Sequence, residues 1–398
     1  MTNINDSAGE RGIIDAKEIT GVDGMSNIFD LYRRFGQSAW LDYIDRTLLL
    51  DGGLKALVGE GLRGLTSNPT IFHKAITEGT EYDEVIRDLL QADHEIDENL
   101  LYEWIAIADV QIAADILRET WHESRGSDGF VSLEVSPHLA NDPEATIEAA
   151  RRLWRLVDRS NLMIKVPGTG SCLPAIESLI AEGINVNVTL LFSVDRYRRV
   201  MEAYRRGLSL NDDPGSVASV ASFFVSRIDT KVDARLDEID TAEARALKGR
   251  IAIASARLAY RAFREFVKSD SFEAQRQRGA RVQRPLWAST STKNPSYSDV
   301  FYVEQLIGPD TVNTLTPETL EAFQAHGELR ETLDSQVRQA ERDLESLDRI
   351  GVNLAGITHE LEREGVRKFI DSHDELLAAL KDRRAEVAQR YVGGETRR

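Results

Sequence analysis

Eight short runs rich in apolar and β-branched residues recur along this chain, each separated from the next by longer, mostly helical stretches. That alternation limits the fold more than any other feature. The runs fall at residues 38–43, 62–66, 130–135, 162–166, 185–190, 217–225, 285–290 and 311–315. Between them lie segments such as 144–157, where Ile147, Leu153, Leu156 and Val157 fall on or near one helical face. Asp142 and Pro143 supply that helix with a cap and a first-turn proline. Strands that alternate with helices pair in parallel, and eight such units fit a closed barrel. The sequence therefore predicts an α/β fold, a single eight-stranded parallel β/α (TIM) barrel.

A barrel of this kind needs roughly 250 residues, and the chain has 398. Extra helices are expected after the second strand (69–128) and after the sixth (228–284), with a charged helical tail over 317–398. The tail carries an apolar stripe of Val366, Phe369, Ile370, Leu376, Leu377 and Leu380, which reads as a face docked on the barrel. No Pro/Gly/Ser-rich linker or internal repeat is evident, so one domain is expected over 1–398, with its core at about 36–330 and the helical extension at about 331–398.

Asp and Glu total 66 against 49 Lys and Arg, a net charge of −17. Such a surface argues against nucleic acid and anionic membranes as partners, while leaving room for one basic pocket. Cys172 is the only cysteine, which excludes an internal disulfide and a thiolate metal cluster. The seven histidines show no metal-binding spacing, so no metal is expected. Residues 1–30 are polar and acidic, without the pattern of a secretory signal. No apolar run reaches the ~18 residues of a membrane span. These features point to a cytoplasmic protein.

Lys165 stands in the apolar run Leu162-Met163-Ile164-Lys165-Val166-Pro167. Burial penalises an ammonium ion and favours the neutral, nucleophilic amine, which suits Schiff-base chemistry on a carbonyl. A lysine paired with a carboxylate, or one snorkelling to solvent, is the structural alternative. The neighbouring strands bear on the choice, because side chains alternate across a strand. In the fifth run Asn185, Asn187 and Thr189 alternate with apolar residues and would point inward. Glu134 takes the inward C-terminal position of the third run; Asp42 and Thr66 end the first and second, with Asn68 just beyond. Polar residues thus gather where barrel enzymes place their chemistry. Each alone could simply satisfy backbone, but their coincidence on five strand ends favours function. Ser222 and Arg227 at the sixth run, and Ser289 to Lys293 at the seventh, suit a phosphate ester. Pairing of Arg227 with Asp229 or Asp233 is the competing reading.

Two stretches, Gly64-Leu65-Thr66-Ser67-Asn68-Pro69-Thr70-Ile71 and Leu162-Met163-Ile164-Lys165-Val166-Pro167-Gly168-Thr169, resemble motifs of the transaldolases, class I Schiff-base enzymes of the pentose phosphate pathway. The segment from Asn185 to Ser193 is similar to that family's fifth strand. The resemblance implies Lys165 as the Schiff-base lysine, with Glu134 and Thr189 holding the proton-relaying water and Asp42 acting on the substrate's C4 hydroxyl. It further implies that Asn68 and Asn187 orient the three-carbon fragment, with Ser222 near its terminal hydroxyl, and that Arg227 and Ser289 bind the sugar phosphate. A dihydroxyacetone unit would pass from sedoheptulose 7-phosphate to glyceraldehyde 3-phosphate, giving erythrose 4-phosphate and fructose 6-phosphate. Small-molecule sugar phosphates are then the partners, a homodimer is compatible, and no cofactor is implied.

The chain departs from the family after the seventh strand. Ser289-Thr290-Ser291-Thr292-Lys293 replaces a compact Ser-Phe-Arg, so Lys293, or Ser291, is expected to complete the phosphate site. Leu65 replaces a smaller residue, and the long tail resembles that of a larger subgroup. Fructose-6-phosphate aldolases, which release free dihydroxyacetone, tend to carry glutamine and tyrosine where this chain has Glu134 and Phe224. A non-catalytic sugar-phosphate-binding barrel is the remaining alternative.

Overall fold

The structure is a computed structural model, and it describes residues 26–392. The reading of the first 30 residues therefore lies largely outside the described residues, as does the tail beyond 392.

Strands β1 (Gln37–Asp42), β2 (Gly64–Thr66), β3 (Phe130–Glu134), β4 (Leu162–Pro167), β5 (Val186–Leu191), β6 (Ser219–Phe224), β7 (Arg284–Ala288) and β8 (Thr311–Leu315) form a closed barrel in sequence order. Every pairing is parallel, including β1 with β8. Each predicted run overlaps one of these strands, with ends that differ by up to two residues. The ends differ where side chains compete with the ladder. Thr290 leaves β7 because its hydroxyl bonds Asn313 Oδ1 at 2.9 Å and the Thr314 carbonyl at 3.0 Å. Asn185 does not point into the barrel mouth. Its amide donates to the Ser160 and Leu162 carbonyls at 3.0 and 2.9 Å and its oxygen accepts from Ala218 N at 2.8 Å, so it ties the starts of neighbouring strands together.

Bulky side chains fill the lower barrel. A Cβ on Gly64 would lie 2.5 Å from Trp40 Cε2, so a glycine opposite Trp40 lets the indole fit. At the base Asp128 accepts from Trp40 Nε1 at 2.9 Å, from Arg63 Nε at 2.8 Å, from Arg284 Nη2 at 3.2 Å and from Ser38 Oγ.

The insertions after β2 and β6 are helical as expected, the longest members being Glu98–Ile116 and Ile251–Val267. Helix Pro143–Val157 begins at Asp142, whose side chain accepts from Ala145 N, but Leu156 points outward rather than joining the apolar face. The tail forms Val337–Arg349 and the 34-residue helix Leu354–Val387. That helix buries Leu361, Gly365, Phe369, Leu376 and Leu380, at the spacing of one helical face, against helices Pro69–Glu78 and Glu98–Ile116 and the end of β5. Val366 and Leu377 pack at the margin of the same core. A Cβ on Gly365 would sit 3.0 Å from Leu190 Cδ2, a measure of how closely the helix meets the end of β5. Among the described residues, no helix is long and apolar enough to cross a membrane.

Candidate active site

The C-terminal ends of the strands open into a cavity of about 400 Å³. Asp42, Asn68, Lys165, Thr189, Ser222, Arg227, Ser289, Ser291 and Lys293 all line it. Glu134 and Asn187 are not on that wall, although both lie directly behind residues that are.

Lys165 projects inward near the top of β4 and is only 5% exposed. Its Nζ lies 3.1 Å from Glu134 Oε2 and donates to the Ser67 carbonyl at 3.1 Å. The two side chains meet because Glu134 and Lys165 are register partners across β3 and β4. The pairing that sequence reading held as the structural alternative is thus present, and it is pointed at the cavity. Neither Glu134 oxygen has a well-aligned hydrogen bond among the described residues. Burial pushes the Glu134 carboxyl above its usual range, Lys165 offsets part of that rise, and Asp42 adds to it. The far side of Glu134 borders a smaller cavity of about 120 Å³ that also touches Tyr102 and His373.

Thr189 faces the same cavity with its hydroxyl unpartnered among the described residues. The next residue, Leu190, has φ +63°, and the β5–β6 register shifts there. A bulge with a non-glycine residue in the left-handed region is strained, and it re-aims the strand end beside the reacting groups. Ser289 has φ +56° at the corresponding point after β7, where its hydroxyl lies 3.2 Å from that of Ser226.

Asp42 closes β1. Burial lifts its carboxyl above the ordinary range, against the pull of Lys165, Arg227 and Lys293. Asn68 caps helix Pro69–Glu78 by accepting from Ile71 N at 3.1 Å, which holds its side chain at the mouth. Below, Ser222 donates to Asn187 Oδ1 at 2.7 Å while Asn187 Nδ2 donates to Ser132 Oγ at 3.0 Å. Asn187 therefore braces Ser222 from the layer beneath.

Arg227 does not pair with Asp229 or Asp233. Those carboxylates are engaged elsewhere, Asp229 by Ala252 N at 2.7 Å and Tyr302 at 3.0 Å, Asp233 by Gly249 N at 3.0 Å and Tyr297 at 2.8 Å. The guanidinium instead stacks over Phe224 at 5.2 Å and faces the cavity. Ser291 bonds Thr319 at 3.0 Å, so Lys293 is the freer of the two candidates at the rim.

Among the wall residues that sequence reading did not assign to the site are Lys74, Glu318, Lys368 and Phe369. Phe369 places its ring 5.5 Å from the Lys165 amine. The apolar stripe of the tail was visible, but nothing local shows that it crosses the barrel mouth. Among the described residues, no group of three or more His, Cys, Asp or Glu is placed to hold a metal ion.

The family model described as transaldolase/fructose-6-phosphate aldolase matches residues 39–380. Curated proteins named transaldolase are similar over most of their length. That of Mycobacterium ulcerans is 46% identical over 353 residues, covering 87% of this chain and 94% of the relative. That of Mycolicibacterium smegmatis is 46% identical over 352 residues, with the same coverage. The Mycobacterium tuberculosis H37Rv protein is 45% identical over 361 residues, covering 89% and 96%. With its closed barrel, its inward lysine and a match over most of its length, the chain belongs to the transaldolase/fructose-6-phosphate aldolase family.

Proposed function

We propose that the protein is a transaldolase, moving a dihydroxyacetone unit from sedoheptulose 7-phosphate to glyceraldehyde 3-phosphate through a Schiff base on Lys165. The observation that carries the reading is the 3.1 Å contact between Lys165 Nζ and Glu134, just behind the wall of a cavity that Asp42 and Thr189 share with the lysine. Glu134 takes a proton from the lysine, and the freed amine attacks the ketone carbon. The carbinolamine loses its hydroxyl as water, with Glu134 and Thr189 holding the water that relays the proton. Asp42 then accepts the C4 hydroxyl proton as the C3–C4 bond breaks. An aldehyde departs, and the electron pair remains on the lysine-bound enamine. The acceptor aldehyde re-forms the bond, Asp42 returns its proton to the new hydroxyl, and water releases the product ketose. Two carboxyls raised by burial suit this traffic, since each exchanges a proton more readily near neutral pH.

Asn68 and Ser222 orient the three-carbon fragment, with Asn187 behind Ser222. Arg227, Ser289 and Lys293 hold the phosphate. Phe224 contributes an apolar ring where the aldolases tend to have a tyrosine hydroxyl, which supports transfer over release. We read the chain as one domain, supported by a core that runs continuously from the strands to Leu376 and Leu380. The cytoplasm is the compartment these substrates imply.

Incubation with fructose 6-phosphate and borohydride is expected to fix a three-carbon adduct on Lys165, located by peptide mass. No adduct, or one on another lysine, rejects the mechanism. Rapid release of free dihydroxyacetone without an acceptor aldehyde identifies an aldolase instead.

A further inference from the structure

Beyond Lys74, which lies near Glu318, positive charge converges over Lys165 from three further parts of the chain. Arg227 follows β6, Lys293 follows β7, and Lys368 comes from helix Leu354–Val387, more than 70 residues beyond Lys293. All three line the same cavity, and none has an ion pair or hydrogen bond among the described residues. Of the carboxylates on that wall, Asp42 is committed to the reaction. Glu318 is held mainly by the first turn of its own helix and by Thr316, and it also lies in the field of Lys74 and Lys293, so it offsets only part of the charge on that wall. Like charges brought together are unfavourable unless an anion joins them. The repulsion registers on Lys368, whose amine is held below its ordinary range by burial and then by Arg227 and Lys293.

The position of Lys368 is set by the packing of its helix. Gly365, one turn earlier, allows close approach to Leu190. Phe369 stands over Lys165, and Thr70 donates to Ser372 Oγ at 2.9 Å one turn later. Lys231 fixes Glu360 and Glu364 at 2.8 and 2.5 Å upstream, and Arg383 reaches Asp83 at 2.6 Å downstream. A helix clamped at both ends fixes the backbone that presents Lys368 to the cavity, and the side chain alone remains to be ordered.

We propose that Lys368 is a phosphate-binding residue of this site, a third cation beside Arg227 and Lys293, through which the C-terminal helix selects phosphorylated sugars. This rests on the transaldolase reading. A phosphate monoester carries nearly two negative charges at neutral pH and three acceptor oxygens. One forked guanidinium and two ammonium groups match that charge and geometry.

The test compares fructose 6-phosphate with fructose as donor in the full-length protein, using Lys368→Met and Lys368→Arg. A charge-assisted contact of this kind predicts that the kcat/KM ratio of the two donors falls roughly 10–100-fold in Lys368→Met. The loss appears in KM, Lys368→Arg restores much of it, and competitive inhibition by inorganic phosphate weakens in parallel. An unchanged donor ratio, or equal losses for both sugars, overturns the proposal. A wild-type protein that forms no borohydride adduct on Lys165 would instead overturn the transaldolase reading. An adduct with an unchanged ratio in Lys368→Met defeats only the role of Lys368.

Discussion

Glu134 and Asp42 are both carboxyls raised by burial, but their partners differ and so do their expected phenotypes. Glu134 touches the Lys165 amine, whereas Asp42 feels Lys165 without an ion pair to it among the described residues and shares that field with Arg227 and Lys293. Replacing Glu134 with Gln removes the proton acceptor while keeping the shape. A fall in kcat of roughly 10²–10⁴-fold is expected, with slowed adduct formation in single-turnover trapping. Substitution of Asp42 by Asn should leave adduct formation with dihydroxyacetone intact and block carbon–carbon cleavage, so the two variants separate in one pair of assays. The sign of the pH effect also follows. Each base works deprotonated, and Glu134 keeps its proton above the ordinary value of 4.5. The acid limb of kcat/KM should therefore lie above pH 4.5; a limb at or below that value would contradict its role.

At the scale of elements, the helix Leu354–Val387 does more than cover apolar surface. Its buried face meets β5 at Gly365 and the site at Phe369. Gly365→Val forces a side chain toward Leu190, and overpacking of this kind destabilises by about 1–3 kcal/mol. A lower Tm together with a raised KM for sugar phosphates is the expected result, since lifting the helix moves Lys368 and Phe369 together. A lower Tm with unchanged KM would show that the helix is structural only. The loop after β7 depends on a second contact. Asp229 accepts from Ala252 N and Tyr302, and burial pushes its carboxyl up to about 7. A folded value above the unfolded 3.8 means that its contribution to stability is complete below about pH 4 and is lost as pH rises to 7. Against Asp229→Asn, the wild type should lose up to about 4 kcal/mol over that window, read from denaturant midpoints at each pH.

For the molecule as a whole, the barrel has a base built for closure and a mouth built for chemistry. Asp128 gathers Ser38, Trp40, Arg63 and Arg284 beneath the core, joining the ends of β1 and β7. Burial alone would raise its carboxyl, but Arg284 and Arg63, with bonds from Ser38 and Trp40, hold it below the ordinary range. Its stabilising contribution is therefore present above 3.8 and lost as pH falls through the lowered folded value, opposite in sign to that of Asp229. Asp128→Asn leaves two arginines without their buried counter-charge, and a loss of about 3–5 kcal/mol is expected in chemical denaturation. Trapping on Lys165 should persist in the folded fraction, because Asp128 sits at the opposite end of the strands.

The number of strands, their parallel pairing and the inward set at their ends were legible in the sequence because both periodicities are local. A strand alternates every second residue, so Lys165, Glu134, Thr189 and Asp42 declare their face within a few positions. Asn185 broke that rule because a side chain that bonds backbone at a strand's start is indistinguishable, in sequence, from one that points inward. Strand ends drifted for a similar reason, since Thr290 exchanges ladder geometry for two side-chain bonds. Lys368 and Phe369 were beyond reach altogether. Their place over the mouth depends on the crossing of a helix some 200 residues from Lys165, fixed by contacts at Gly365, Ser372 and Arg383. Local pattern determined which groups the barrel turns inward, and only the tertiary structure decided what closes over them.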